Sequence, residues 1–287
     1  MRLLNTTPVG ARLVSAASGP ERTIAAVVAR PTFAIDRGRL VLTPEYPWPA
    51  GPKPAETPWG VFQPDVPVLK NGIDVFVLGS AWQPHGEPAT ELTMAIHVGA
   101  SLDRRMAVIG DRVWVRRDGV LAPGEPRQFV SMALIPQNAY GGPGAANPLG
   151  KGCYASEEDA LGQPLPNLED PDFRIRSFAD RPEPVGTGPR PEGGAYPRMT
   201  IDPARAPNPG STVEVTHATP EGALRFALPE LRMSVEVRLD GREQVLPLHL
   251  DEIAVFTEPR RVFLAHRAVF EFRNADGDHG QATLRMG

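Results

Sequence analysis

Cysteine is nearly absent from this chain: Cys153 is the only one among 287 residues. That excludes an internal disulfide and any thiolate cluster for zinc or iron, and it permits a reducing compartment. Long apolar runs are missing as well, since no stretch approaches the roughly 18 residues needed to cross a bilayer. The opening Met1-Arg2-Leu3-Leu4-Asn5-Thr6-Thr7-Pro8 breaks off before a signal peptide's apolar segment. A cytoplasmic protein with no membrane insertion is expected. No charge of one sign dominates, with 30 Lys and Arg against 34 Asp and Glu, a net charge of -4, and both signs interspersed. Nothing in this balance points to nucleic acid or an anionic membrane as a partner. Helical periodicity is scarce too: no window of a dozen residues keeps apolar residues at i, i+3, i+4 and i+7 without Pro or Gly interrupting it. Ser156 to Leu161 is the best short candidate, with Ser156 as cap and Glu157, Glu158 and Asp159 in the first turn.

What the chain does have is period-two alternation. In Arg232 to Asp240, Met233, Val235, Val237 and Leu239 alternate with Arg232, Ser234, Glu236 and Arg238, so one face is core and the other wet. Asp240-Gly241 then supplies a type I′ hairpin turn, and Gln244 to Leu250 returns as its partner strand. A second hairpin is expected at Asp118-Gly119, after Arg112 to Arg116. Further strands read at Thr23 to Ile35, Arg39 to Thr43, Ile73 to Gly79, Glu91 to Val98, Met106 to Ile109, Phe129 to Leu134, Thr212 to Thr216, Glu252 to Thr257 and Arg261 to Phe272. Short strands at this spacing predict an all-β fold, an antiparallel β-sandwich or barrel-like core.

The 33 Pro and 28 Gly concentrate between the strand-rich regions 1–135 and 211–287, where residues 136–210 hold 14 Pro and 11 Gly. Tyr140, Tyr154, Phe173, Ile175, Phe178 and Tyr196, with Leu161, Leu165 and Leu168, give this stretch apolar anchors that a solvated linker lacks. It is expected to be an ordered coil packed on the core, with 211–287 completing the same or an adjoining sandwich.

Each signal for chemistry has a simpler reading. Gly144 to Gly152 resembles a phosphate loop, but five residues rather than four separate Gly144 from Gly150, and Gly152 stands where Ser or Thr would meet magnesium. His85-Gly86-Glu87 has the spacing of a zinc deaminase, whose paired cysteines cannot exist here. The six histidines are scattered, and His97 falls on the wet side of its strand. There is no G-x-S-x-G elbow. Acidic runs such as Glu157-Glu158-Asp159 and Glu169-Asp170-Pro171-Asp172 suit capped turns, although paired carboxylates of a polymer-acting hydrolase or lyase stay open as an alternative. Trp48, Trp59, Trp82 and Trp114 would have to stand side by side on the surface to form a carbohydrate-binding module. No catalytic residue, metal or cofactor is expected.

Several ordered segments carry a resemblance. They are Asn5-Thr6-Thr7-Pro8, Ala29-Arg30-Pro31-Thr32-Phe33, Gln63-Pro64-Asp65 with Lys70, and Asp74-Val75-Phe76-Val77-Leu78-Gly79. They continue through Val108-Ile109-Gly110-Asp111-Arg112-Val113-Trp114, Ala139-Tyr140-Gly141-Gly142, Asn147-Pro148-Leu149-Gly150-Lys151-Gly152 and Leu165-Pro166-Asn167-Leu168-Glu169-Asp170. Together they resemble a family first catalogued as a domain of unknown function and encoded beside VgrG and PAAR genes in bacterial type VI secretion loci. The resemblance implies an adaptor or chaperone that binds an effector toxin, a PAAR-tip protein or VgrG and helps load the VgrG spike. It also implies a structural motif set of Lys70, Asp74, Asp111, Arg112 and Trp114. Asp111 and Arg112 are expected to close a strand connection, and Asn147 and Asn167 to fix coil through Asx turns. Partner contacts are expected from the coil, at Tyr140, Gly141, Gly142, Asn147, Tyr154, Leu165, Asn167, Phe173, Phe178 and Tyr196. Beyond Pro184 to Pro189 the chain passes quickly through Glu192 to Tyr196, where many members carry a longer aromatic segment.

Overall fold

The computed structural model describes residues 1–44, 55–62, 64–135, 138–139, 151–152, 154–181, 199–239, 241–277 and 279–287. In chain order the strands are β1 (Arg2–Asn5), β2 (Gly10–Gly19), β3 (Arg22–Arg30), β4 (Thr32–Asp36), β5 (Arg39–Thr43), β6 (Ala55–Thr57), β7 (Gly60–Phe62) and β8 (Ile73–Trp82). Then come β9 (Glu91–Val98), β10 (Leu102–Ile109), β11 (Trp114–Arg117), β12 (Val120–Pro123), β13 (Ser131–Leu134), β14 (Leu168–Glu169) and β15 (Thr200–Ile201). The last are β16 (Thr212–Thr219), β17 (Gly222–Ala227), β18 (Met233–Leu239), β19 (Arg242–Pro247), β20 (His249–Phe256), β21 (Arg261–Arg273) and β22 (Gln281–Met286). Among the described residues two one-turn α-helices, α1 (Glu157–Ala160) and α2 (Asn274–Gly277), and short 3-10 turns interrupt them.

The all-β expectation holds. A large sheet runs β13-β8-β20-β21-β3-β2, with β15 added on β8 and β4 and β5 on β21. It packs against two smaller sheets, β14-β10-β9-β16-β17 and β1-β22-β18-β19. The first core interleaves Val75 and Val77 of β8, Ile253 and Val255 of β20, and Met94 and Ile96 of β9. The second interleaves Ala25 and Val27 of β3 with Val235, Val237 and Leu284. β21 serves both: Val262 and Leu264 lie in the first core, and Ala268 and Phe270, on the same side of the strand, in the second. Burying one such side chain contributes roughly 2 kcal/mol, so two dry interfaces share one sheet.

The strands of 1–135 and 211–287 are interleaved rather than adjoining. β8 pairs with β20 in parallel, and β3 and β9 pair with β21 and β16 antiparallel. The hairpin at Asp118-Gly119 forms β11 and β12 with both turn residues at positive φ, 51° and 83°. β18 and β19 also form their hairpin, joined across 240–241, with Asp240 outside the described residues. Ser156 caps α1, its side chain accepting from the Asp159 backbone N–H at 3.1 Å.

Two expectations need correction. Thr23 to Ile35 is not one strand: Pro31 has no N–H for a ladder and divides it into β3 and β4. β1 and β2 were not expected, because Ser15-Ala16-Ala17-Ser18 alternates weakly; pairing with β3 along most of its length makes β2 a strand.

Because the cores share a sheet, unfolding should be one cooperative event. Met94→Ala in the first core and Leu284→Ala in the second should each cost about 2–5 kcal/mol and lower the same urea transition. Circular dichroism and tryptophan fluorescence should coincide; two separated transitions would contradict a shared sheet.

Candidate functional site

On β8, β20 and β21 the first-core residues alternate with Asp74, Glu252 and Arg267, which therefore face the opposite side of the large sheet. β20 would ordinarily point Asp251 the other way. A bulge between Leu250 and Glu252 inserts Asp251 as an extra residue, so two successive acids reach one charge network.

Residues 64–72 run as a strap onto this network. Asp65 accepts two bonds from Arg30, both at 2.7 Å, and lies 3.4 Å from Arg267. Arg267 donates through Nε to Asp251 at 2.6 Å and through Nη1 to the carbonyls of Val66 and Val68. Lys70 bridges Asp74 at 2.9 Å and Glu252 at 3.2 Å, and Thr200 donates to Asp74 at 3.0 Å. Burial opposes the charge on Arg30 and Lys70, but their carboxylate neighbours outweigh it and hold both above their ordinary values. Burial likewise pushes Asp65 up, and Arg30, Arg267 and Lys70 together bring it below the usual carboxylate range. For Glu252 burial wins: its carboxyl is pushed up, with Lys70 and Arg30 offsetting only part. His266, beside them on β21, is pushed down by burial, its Nδ1 3.0 Å from the Leu264 carbonyl oxygen.

A second network pins the coil to the five-stranded sheet. Glu169, fully enclosed, pairs with Arg112 and with Arg174 Nε at 2.9 Å and accepts from the Ile175 backbone N–H at 3.3 Å. Arg174 reaches on to Glu91 with two bonds, at 2.7 and 2.9 Å. Those bonds draw Glu91 down, whereas burial pushes Glu169 up despite both arginines. Asn167, also enclosed, donates to the Ile109 carbonyl at 3.0 Å and to Asp111 at 3.1 Å, and accepts from Lys151 at 2.6 Å. Gly110 lies so close that a side chain there would overlap the Arg127 carbonyl, so the turn into Asp111 and Arg112 requires glycine.

The motif residues Lys70, Asp74, Asp111 and Arg112 thus fall into these two networks. Trp114 is buried in a small core with Leu121, Ala160, Leu165 and Ile175, its ring edge-on to Phe178 at 5.6 Å. Asn167 forms no Asx turn: its amide donates to residues more than 50 positions away and its oxygen accepts from Lys151. Arg112 joins a distant carboxylate rather than closing a local connection.

Among the coil residues expected to face a partner, Leu165 and Asn167 are enclosed and hold the coil down. Tyr154 and Phe178 pack on the small core, with Arg181 4.2 Å above the Phe178 ring, and Phe173 is half-buried. Tyr140, Gly141, Gly142, Asn147 and Tyr196 lie outside the described residues, as do Trp48, Cys153 and most of Gly144 to Gly152. Trp59 packs edge-on to Phe256 at 4.8 Å, and His85-Gly86-Glu87 is an exposed turn. No group of His, Cys, Asp or Glu suited to a metal occurs among the described residues, and no described helix is long and apolar enough to cross a membrane. Reading the sequence missed Asp251, Arg267 and Arg174. Arg267 was hinted at by a charge between apolar strand residues; Asp251 depends on the bulge.

The chain matches the model of a family described as uncharacterized proteins conserved in bacteria (DUF2169), over residues 20–200 and 193–267. It belongs to that family. The matched residues include both networks in full, so the frame that ties strap and coil to the sheets lies within the family's span. No curated protein and no solved structure matches the chain.

Removing one partner leaves a buried charge uncompensated, so Arg267→Met and Arg112→Met should each cost about 3–5 kcal/mol, read as a shift in the urea midpoint. The lowered value of Asp65 makes its contribution to stability full above the ordinary carboxylate range and lost as pH falls through the folded value. Asp65→Asn should therefore be less stable than the parent near neutrality, with the gap closing in acid. A gap that widens in acid would refute the assignment.

Proposed function

We propose that this chain is a non-enzymatic adaptor that holds a type VI secretion effector or PAAR-tip protein and helps load it on the VgrG spike. The observation that carries this reading is β2, the outermost strand of the large sheet. Among the described residues no strand pairs with its outer side, and Leu13 to Gly19 contains neither charge nor proline. Natural edges are ordinarily guarded, as β19 is here by Arg242, Glu243 and Pro247. An unguarded edge on a rigid frame suits addition of a partner's extended segment, whose backbone supplies affinity and whose alternate side chains supply selectivity. Beside it Leu13, Ala25 and Phe272 line an open depression of about 230 Å³ that would receive one such side chain.

The family resemblance supplies the secretion context, and the disposition of its motif residues supports a scaffold. The adjacent acids Asp251 and Glu252 are buried and engaged with Arg267 and Lys70. Trp59 and Trp114 pack within the protein, which favours the adaptor over a sugar-stacking surface.

The tagged protein, co-expressed with the products of neighbouring genes, should retain a toxin or PAAR-tip protein identifiable by mass spectrometry. Ser15→Lys with Ala17→Lys, which guards β2, should reduce retention at least tenfold without shifting the urea midpoint. Undiminished retention would move the docking face to the coil; an empty pull-down with soluble neighbours would end the adaptor reading.

A further inference from the structure

The strap ends on Asn71-Gly72, the single place in the chain where Gly follows Asn. The pair forms a bend between Lys70 and the start of β8, and Asn71 is exposed. Its side chain makes no hydrogen bond among the described residues, whereas Asn5, Asn167 and Asn274 are each engaged. Gly72 precedes the β8 ladder, and its N–H donates to no backbone carbonyl among the described residues. A side chain at 72 would overlap the Thr200 methyl group and crowd the Ile201 carbonyl, so packing against β15 requires glycine there. The fold thereby sets an unhindered backbone nitrogen, with no Cβ beside it, next to an asparagine that nothing anchors.

We propose that Asn71 is a self-modifying site, whose conversion to isoaspartate unseats the strap. The Gly72 nitrogen forms a bond to Cγ of Asn71, the bond from Cγ to Nδ2 breaks, and Nδ2 leaves as ammonia with the proton from the Gly72 nitrogen. The product is a five-membered cyclic imide. Water opens it at either carbonyl: cleavage at Cγ gives aspartate, and cleavage at the main-chain carbonyl gives isoaspartate. In the second product the main chain runs through Cβ and Cγ and is one carbon longer, and a carboxylate stands beside Lys70. That extra length has no room on the β8 side. Ile73 and Asp74 are held in register by Ile201 and Thr200, Asp74 also by Glu252, and Gly72 lies tight against Thr200. The strap side takes it up, and there Lys70 must hold its ammonium 2.9 Å from Asp74 and 3.2 Å from Glu252. Such bonds depend on geometry, so a shifted main chain loses them, and the new carboxylate competes for the same ammonium. The site stands apart from the adaptor reading.

Ageing the folded full chain in mildly alkaline buffer, followed by digestion and mass spectrometry, tests the chemistry. The mass gain of an amide becoming an acid should be confined to the peptide that holds Asn71. It should appear as two separable isomers with isoaspartate the more abundant, a product that only the cyclic imide yields. Asn5, Asn208 and Asn274, exposed but followed by Thr6, Pro209 and Ala275, serve as internal references and should stay unchanged. No gain at Asn71, or ordinary aspartate alone, overturns the site. Amide hydrogen exchange then tests the consequence: in the isoaspartyl form, segment 64–70 should exchange about tenfold faster than in the fresh protein, with β9 unchanged. Equal protection of the strap before and after conversion overturns the unseating. Asn71→Ser, which cannot close the ring, should keep its strap protection through the same incubation; a loss of protection there equal to the parent's also overturns it. Fresh and aged parent decide the matter without that variant should it fail to fold.

Discussion

The parallel pairing of β8 with β20 is the constraint on which the rest depends. It joins a strand from the first third of the chain to one from its last fifth, register Glu252 to Asp74 through Phe256 to Leu78. On one side this register aligns Val75 and Val77 with Ile253 and Val255, and the first core closes over them. On the other it sets Asp74 beside Glu252, and the same step that builds a dry core creates a concentration of charge behind it. A slip of one residue would exchange the two faces.

Charge buried in this way must be answered by charge, and the answer comes from the strap and from the coil with its two-residue strand β14. The strap contributes Asp65 and Lys70; the coil contributes Glu169 and Arg174. Both segments are thereby tied to sheets through geometry-specific contacts in place of broad apolar surface. Buried ion pairs add little net stability relative to apolar packing, but losing one partner is costly. Such attachments select one seating of the strap and one of the coil, which suits a protein that presents a fixed surface.

Much of the fold was legible because alternation needs only the chain itself. The strand at Met233 to Leu239, the turn at Asp118-Gly119 and the cap at Ser156 each follow from residues within ten positions of one another. Lys70, Asp74, Asp111 and Arg112 could be singled out from the sequence, and they lie in the ties between coil, strap and sheet. Their partners could not. Asn167, expected to act within its own turn, bonds across the coil to Ile109 and Asp111, and Leu165 faces the small core of Trp114.

By itself the sequence determined an all-β class, the hairpins, the capped turn and the absence of disulfides and thiolate metal sites. These depend on local conformational preference and on composition. The tertiary structure alone decided that the two strand-rich regions interleave in one sheet, that Asp251 joins Glu252 through a bulge, and that β2 is left as an edge. Each of these depends on which distant strand lies alongside, a choice set by the burial of many side chains together and carried by no short stretch of residues.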